Sequence, residues 1–361
     1  MKMEHDVGDV LPWHDLASFE PDKREWALLM AHYCRRDRVD HEEHAARYGD
    51  STFLIMSVRW QRELCQHLLR LTFRIPEGWG EQEWDAEDDL TTLSWIDHAP
   101  MHTTPSTERH SFDAYASLIS QRAVELGLMD TGITADDENM LPTGKYVPLF
   151  RELVDHVCAQ GRSEDFLREE AKRVADSNEK AARAANLLNS VLAGTPKVFV
   201  VGVRLGYARR GQADPARWPR SAEGDGRAFG FADRYRLYAL ERFSNILLGM
   251  QIKVYFSPDA GYRFSVIAYV DPAIADSPEE AAAQIGRLWV DQVMSGCGCY
   301  YNRNADQGFL NDGLGVLERA NKRERSATEQ LVESEFLCDR YMRYDPGVAM
   351  YWTPSDGMSF L

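Results

Sequence analysis

Residues 261–269 read Gly-Tyr-Arg-Phe-Ser-Val-Ile-Ala-Tyr, and this stretch decides the fold of the C-terminal half of the chain. Its aromatic and β-branched residues are typical of a β-strand. The preceding residues 257–261, Ser-Pro-Asp-Ala-Gly, favour a turn. A second apolar stretch at 249–256 lies before that turn, so the sequence predicts a β-hairpin. Arg263 and Ser265 are two residues apart, which places them on one face of the second strand.

The segments around this hairpin predict an α+β domain. Ser277-Pro278-Glu279-Glu280 combines a capping serine, a first-turn proline and early acidic residues, which marks a helix start. Strands are predicted at 198–203, 249–256, 263–270, 299–302 and 314–317, and helices at 232–248, 277–294 and 328–344. The resulting order, β-α-β-β-α-β-β-α, indicates a mostly antiparallel sheet backed by helices.

The N-terminal half is predicted to be mostly helical. Helices are expected at 21–36, 112–127, 146–160 and 164–193. The last of them ends at Ala193-Gly194-Thr195-Pro196, a helix stop signal. We therefore predict a domain of residues 1–194 and a second domain of residues 195–361, although the long helix at their boundary could pack on either side.

The negative charge of the chain is concentrated in its first half. The 361 residues carry a net charge of −16, from 41 Lys and Arg and 57 Asp and Glu. Residues 195–361 hold 20 of the basic and 21 of the acidic residues, which leaves 21 basic and 36 acidic residues in 1–194. The C-terminal domain is therefore nearly neutral and free to carry a local basic surface. The acidic N-terminal domain is a candidate surface for a protein partner.

Composition favours a cytoplasmic protein without a membrane segment. The 44% hydrophobic and 27% charged residues are typical of globular domains. No apolar run approaches the roughly 18 residues that span a bilayer, and the polar start, Met-Lys-Met-Glu-His-Asp, lacks a signal-peptide core. The six cysteines include no Cys-x-x-Cys pair, so neither a disulfide framework nor a structural zinc site is expected.

Short motifs in the C-terminal half carry a family resemblance. They are Arg204-Leu205-Gly206-Tyr207, Gly249-Met250-Gln251-Ile252-Lys253, Gly261-Tyr262-Arg263-Phe264-Ser265, Trp289, Gly296-x-Gly298-x-Tyr300-Tyr301-Asn302-x-Asn304, Gly313-x-Gly315 and Tyr341-Met342-Arg343-Tyr344-Asp345. In this order and spacing, roughly over residues 197–350, they resemble the C-terminal domain of the YagK/YfjJ family. Members of that family are prophage-associated relatives of the replication initiators of filamentous phages.

The resemblance implies a rolling-circle DNA nickase of the His-hydrophobic-His type with a nickase-like palm. In such enzymes two histidines on one face of a strand bind a divalent cation, which polarises the scissile phosphate. A tyrosine on a nearby helix attacks that phosphate and forms a 5′-phosphotyrosine. By this resemblance Tyr341 occupies the nucleophile position, and Tyr344 replaces the lysine that usually follows it.

The metal-binding positions of the family fall on Arg263 and Ser265, and a hydroxyl beside a guanidinium is a poor divalent-cation site. Two further acidic or amide positions fall on Arg204 and near Tyr255. All ten histidines lie at or before His156. We therefore predict no metal ligand in this domain and no cofactor, with a divalent cation required only if nicking activity survives.

Several of these residues have competing interpretations. Arg263 either holds a DNA phosphate as a bidentate fork or lies solvated at the hairpin edge. Tyr341 is either the nucleophile or an aromatic residue that closes its helix, and Tyr341 with Tyr344 could form a two-tyrosine nickase. The other candidate DNA-binding residues are Lys253, Ser265, Arg204, Arg209 and Arg210. The last three belong to an arginine-rich segment, 204–227, which also contains Trp218 and suits backbone contact and base stacking on single-stranded DNA.

Three functions are compatible with these patterns. The first is a DNA-binding protein of the rolling-circle initiator type without metal-dependent nicking, which binds single-stranded or hairpin DNA. The second is an active tyrosine nickase or strand transferase that uses Tyr341 in phage or plasmid replication. The third is a protein-interaction module of a mobile element, in which the acidic N-terminal domain binds the partner.

Overall fold

The computed structural model describes residues 110–112, 114–127, 147–207, 222–257, 261–305, 313–340, 342–344, 348–353 and 357–360. These residues fall into two compact units. The smaller contains the described residues up to Asp176 together with 340 and 342–343, and the larger contains residues 177–339 and those from Tyr344 onward. The expectations for residues 1–109, including the helix at 21–36, lie outside the described residues.

The described residues of the smaller unit lie mostly in helices. Its elements are β1 (His110–Phe112), α1 (Ala114–Glu125), α2 (Val147–Gly161) and the first part of α3 (Glu164–Gly194). Ala116, Ile119 and Ala123 of α1 are buried at a spacing of three and four residues, which makes one apolar stripe. Leu153 and Val157 are buried in the same way on α2. The helices predicted at 112–127, 146–160 and 164–193 are confirmed.

The larger unit is an α+β domain, as predicted. After α3 its elements are β2 (Lys197–Tyr207), α4 (Ala222–Phe243), β3 (Leu247–Ser257), β4 (Gly261–Val270), α5 (Pro278–Leu288), β5 (Gly298–Asn302), β6 (Gly315–Glu318), α6 (Lys322–Leu337), β8 (Val348–Thr353) and β9 (Gly357–Phe360). The short strand β7 (Met342–Tyr344) lies between α6 and β8 in sequence, and its first two residues belong to the smaller unit. The main sheet has the order β5-β2-β4-β3-β8-β9, and β6 also pairs with β2. Every pairing recorded in this sheet is antiparallel.

The centre of the sheet follows a split β-α-β pattern. The chain passes from β2 through α4 to β3, and β4 then lies between β2 and β3. From β4 the chain passes through α5 to β5, which pairs with the other edge of β2. This is the β-α-β-β-α-β arrangement in which both helices cover one face of a four-stranded antiparallel sheet. The predicted cap of α5 is also confirmed, since the Ser277 hydroxyl accepts a hydrogen bond from the Glu280 amide at 3.2 Å.

Helices cover both faces of the sheet. On the first face, apolar side chains of β2, β3 and β4 pack against α4 and α5, with Tyr235 and Trp289 fully buried among them. On the second face, Val198, Val200 and Ile267 pack against the C-terminal half of α3 and against α6. The second half of the long helix therefore packs on the sheet, and the division between the two units falls inside α3, after Asp176.

The end of the closing helix differs from the prediction. The sequence predicts a helix over 328–344, but α6 ends at Leu337 and continues as a 3₁₀ turn, Cys338–Arg340. Asp339 in that turn is buried and ion-paired with Lys253 of β3, which holds the chain against the sheet at this point. Tyr344 consequently lies in β7, which pairs with β1. The helical assignment of Tyr344 is wrong. Strands β8 and β9 were also not predicted.

Candidate functional site

A layer of buried polar side chains lies on the second face of the sheet, under α6. We call it the polar layer, and it consists of Arg204, Gln251, Lys253, Arg263, Ser265, Arg303, Glu335 and Asp339, each of which is buried. It forms because side chains alternate across a strand. On β2, β3 and β4 the residues between these positions enter the apolar core on the other face.

The strand register brings four of the predicted site residues together. Ser265 of β4 lies opposite Arg204 of β2 on one side and opposite Lys253 of β3 on the other. Arg263, two residues earlier on β4, lies opposite Tyr255 of β3. Direct cross-strand neighbours have Cβ atoms only about 5 Å apart. Arg204, Lys253, Arg263 and Ser265 therefore form one contiguous patch.

This patch is closed to solvent. Arg263 is 2% exposed, Arg204 4% and Ser265 5%. The interpretation of Arg263 as a solvated edge residue is therefore wrong. Its alternative role, binding a DNA phosphate, stays a prediction. A phosphate in direct contact with Arg263 would have to reach a side chain that lies inside the folded domain.

Glu335 of α6 is the centre of the polar layer. Its carboxylate accepts a hydrogen bond from the Ser265 hydroxyl at 3.2 Å and one from Nη1 of Arg303 at 2.9 Å. Both side chains of the Arg303–Glu335 pair are almost fully buried. The main-chain carbonyl of Glu335 also accepts a hydrogen bond from Lys253 Nζ. Ser265, which the resemblance places at the second metal-ligand position, thus donates a hydrogen bond to the buried Glu335 carboxylate.

A second ion pair anchors the end of α6. Lys253 Nζ lies 2.7 Å from Oδ1 of Asp339, and Nζ of Lys180 on α3 lies 3.9 Å from Oδ2. The Lys253 ammonium also lies 5.5 Å from the centre of the Phe336 ring, within the range of a cation–π contact. Lys253 therefore contacts α6 through a carbonyl and an aromatic ring, and the 3₁₀ turn that follows α6 through a carboxylate.

The Arg263 guanidinium crosses the sheet towards β5. Its Nη1 donates to Sγ of Cys299, a weak contact at 3.9 Å. On the way it lies directly over Gly206 of β2, where a Cβ atom would be only 1.6 Å from Nη1. Glycine at this position leaves the space that the guanidinium occupies. The carbonyl of Gly206 is fixed from the other face by a hydrogen bond from Trp289 Nε1 at 2.6 Å.

The surroundings of Arg303 disfavour its charged form. Burial lowers the pKa of Arg303, and the nearby positive charge of Arg204 lowers it further, whereas the Glu335 carboxylate raises it. The pKa of Arg303 is lowered overall, so the Glu335 carboxylate only partly compensates for burial and for the charge of Arg204.

The remaining predicted site residues cannot be placed in the polar layer. Tyr341, Arg209 and Arg210 lie outside the described residues. The backbone of Tyr344 is in a strand, as described above. Arg303, Glu335 and Asp339 were missed at the sequence level. The signal that could have found two of them is the helical spacing of Leu331, Val332, Glu335, Phe336 and Asp339, which puts one carboxylate on the buried stripe of α6 and a second in the 3₁₀ turn that continues it.

The donor set of the polar layer does not fit a divalent cation. A guanidinium and a hydroxyl stand at the two positions where the resemblance would place imidazoles, and both oxygens of Glu335 already accept hydrogen bonds from Ser265 and Arg303. Across the described residues, no group of three or more His, Cys, Asp and Glu side chains is arranged to hold a metal ion.

Comparisons of the chain with protein-family models, with curated proteins and with solved structures found no match. In the part of the chain that the structure describes, no helix is long and apolar enough to cross a membrane.

Proposed function

We propose that the chain is a DNA-binding protein of the rolling-circle initiator type, built on a nickase-like palm. On this proposal the polar layer occupies the place of the catalytic cation site. The chain binds single-stranded or hairpin DNA and does not nick it by a metal-dependent route. The observation that carries the proposal is the hydrogen bonding of Ser265 and Arg303 to Glu335 at the position expected for the metal.

The position of the polar layer supports the initiator-like scaffold. Arg263 and Ser265 lie on β4, a central strand of the split β-α-β sheet, and on the face that α6 covers. The resemblance implies metal ligands on such a strand and a nucleophile on a nearby helix. The closing helix α6 covers the two ligand positions and contributes Glu335 to the site, but it ends at Leu337, before Tyr341.

The arginine-rich segment between β2 and α4 supports DNA as the ligand. Residues 208–221, between the end of β2 and the start of α4, contain Arg209, Arg210, Arg217 and Arg220 against a single acidic residue, Asp214. The segment leaves the sheet at Tyr207, one residue after the glycine that underlies Arg263. Arginines with an interleaved tryptophan suit phosphate contact and base stacking.

A groove between α4 and α5, on the opposite side of the sheet, suits DNA less well. It has a volume of about 1000 Å³ and is lined in part by Arg242, Arg287, Glu241, Glu280 and Asp291. Its acidic side chains outnumber its arginines, so it lacks the excess positive charge that attracts a phosphate backbone. This groove therefore supplies a matched control surface.

A salt titration with paired variants tests DNA binding. We expect affinity for a fluorescently labelled DNA hairpin to fall steeply with salt concentration, because bound phosphates release counterions. Arg209→Gln with Arg210→Gln should reduce the slope of log K against log salt by about 1.4 to 1.8, at roughly 0.7 for each contact to single-stranded DNA and 0.9 for each contact to the duplex stem. Fluorescence anisotropy at several salt concentrations measures the slope.

The control removes the same charge from the α4–α5 groove. Arg242→Gln with Arg287→Gln should leave the slope unchanged. A wild-type chain that fails to bind the hairpin at low salt would favour the protein-interaction module. Equal effects of the two double variants would show that DNA binding depends only on the net charge of the protein.

A further inference from the structure

The α4–α5 groove carries charges that the fold leaves without partners. Glu241 and Arg242 of α4, Arg287 of α5 and Asp291 just after α5 line it, and all four residues are exposed. Within the described residues, none of the four forms an ion pair or a side-chain hydrogen bond. Two cations and two anions are therefore available to a partner on one concave surface.

The end of α5 explains why two of these charges do not pair with each other. Arg287 and Asp291 are four residues apart, a spacing at which opposite charges on an α-helix normally interact. Asp291, however, lies in the π-helical turn Trp289–Val293, where the Met294 amide donates to the Trp289 carbonyl five residues earlier at 2.9 Å. The turn changes the spacing of side chains around the helix, and such turns are frequent at functional sites.

Apolar surface lies beside these charges. Tyr238 and Leu288 line the groove and are only partly buried. Leu237, which is 51% exposed, lies one helical turn before Glu241 on α4. Apolar and aromatic side chains with charged residues around them are the usual composition of a protein–protein interface.

The charges indicate which partner fits the groove. A partner must itself present both signs of charge, because the unpaired cations and anions of the groove are equal in number. A second copy of the same groove does so. In a two-fold symmetric contact each residue of a patch faces a different residue of the identical patch, so acidic side chains of one copy can face arginines of the other.

We propose that the α4–α5 groove is a self-complementary surface through which two copies of the chain form a two-fold symmetric dimer. In this dimer Glu241 and Asp291 of each copy pair with Arg242 and Arg287 of the other. Exposed ion pairs contribute little each, so the dimer forms at micromolar concentrations of the chain. Hairpin titrations at nanomolar chain then contain monomers, and the proposed DNA binding is judged separately.

Sedimentation velocity of the full chain tests this surface with two charge-reversed variants. The acidic variant is Arg242→Glu with Arg287→Glu, and the basic variant is Glu241→Arg with Asp291→Arg. We expect the wild-type chain to dimerise between about 1 and 100 μM, and each variant alone to dimerise at least about tenfold more weakly. An equimolar mixture of the two variants should dimerise again, because acidic side chains then face arginines.

Lys322→Glu with Arg323→Glu is the matched control. It changes the net charge as the acidic variant does, at two exposed positions at the start of α6. We expect this control to dimerise as the wild-type chain does. A wild-type chain that stays monomeric over this range overturns the proposal. The proposal is also overturned if the charge-reversed variants dimerise like the wild type, if their mixture stays monomeric, or if the control loses the dimer as well.

Discussion

Replacing Glu335 with alanine is expected to lower the free energy of unfolding by about 3–5 kcal/mol, the usual cost of removing one partner from a buried ion pair. Glu335 is 3% exposed and accepts hydrogen bonds from both Arg303 and Ser265. Its loss removes the carboxylate that pairs with the buried Arg303 guanidinium. Denaturant unfolding followed by tryptophan fluorescence measures the change.

Glu329 on the same helix is the matched control. It pairs with Arg325 at 2.9 Å in the i,i+4 arrangement, with about a third of its side chain exposed. Glu329→Ala should therefore cost only about 0.3–0.5 kcal/mol beyond the effect of helix propensity. Equal losses for the two alanine variants would mean that Glu335 is solvated in the folded protein, and the polar layer would not exist as described.

Replacing Trp289 with alanine should cost a similar amount, about 3–5 kcal/mol, through loss of packing on the other face of the sheet. Trp289 is fully buried, and its ring centre lies 4.7 Å from that of Phe264 and 6.1 Å from that of Tyr235. Its Nε1 also donates to the Gly206 carbonyl. The same unfolding measurement applies, with fluorescence of the other tryptophans or circular dichroism as the signal.

Trp289→Phe separates packing from hydrogen bonding. The variant keeps an aromatic ring in the core but removes the donor to Gly206, so we expect a loss of about 1–3 kcal/mol for the unsatisfied buried carbonyl. A phenylalanine variant as unstable as the alanine variant would contradict the packing argument, because it would indicate that the hydrogen bond to Gly206, which both variants lack, determines the contribution of this position.

Much of the larger unit could be predicted from the sequence because its signals are local. The apolar alternation of residues 249–256 and 263–270 around a Pro-Asp-Ala-Gly turn predicted the β3–β4 hairpin, and Gly261 has a φ of 71°, a conformation that glycine adopts easily. The Ser277 cap predicted the start of α5. Each of these features depends on residues close together in the chain.

The rest could not be predicted because it depends on partners far apart in the chain. A glutamate in a helix is normally solvated, and only the folded sheet places Ser265 and Arg303 beside Glu335. The same holds for the end of α6, which is fixed where Asp339 meets Lys253, 86 residues away in sequence. The patch of Arg204, Lys253, Arg263 and Ser265 was anticipated as a set of site residues, but its burial was not.

A denaturing gel of labelled DNA incubated with the chain and Mn²⁺ tests the central claim most directly. The DNA is a hairpin with a single-stranded arm, and binding to it is first established in the same buffer. We expect bound DNA to run at its full length, with neither a cleaved product nor a covalent adduct. A protein–DNA adduct that forms with Mn²⁺ and disappears in Tyr341→Phe would contradict the account and identify the chain as an active tyrosine nickase.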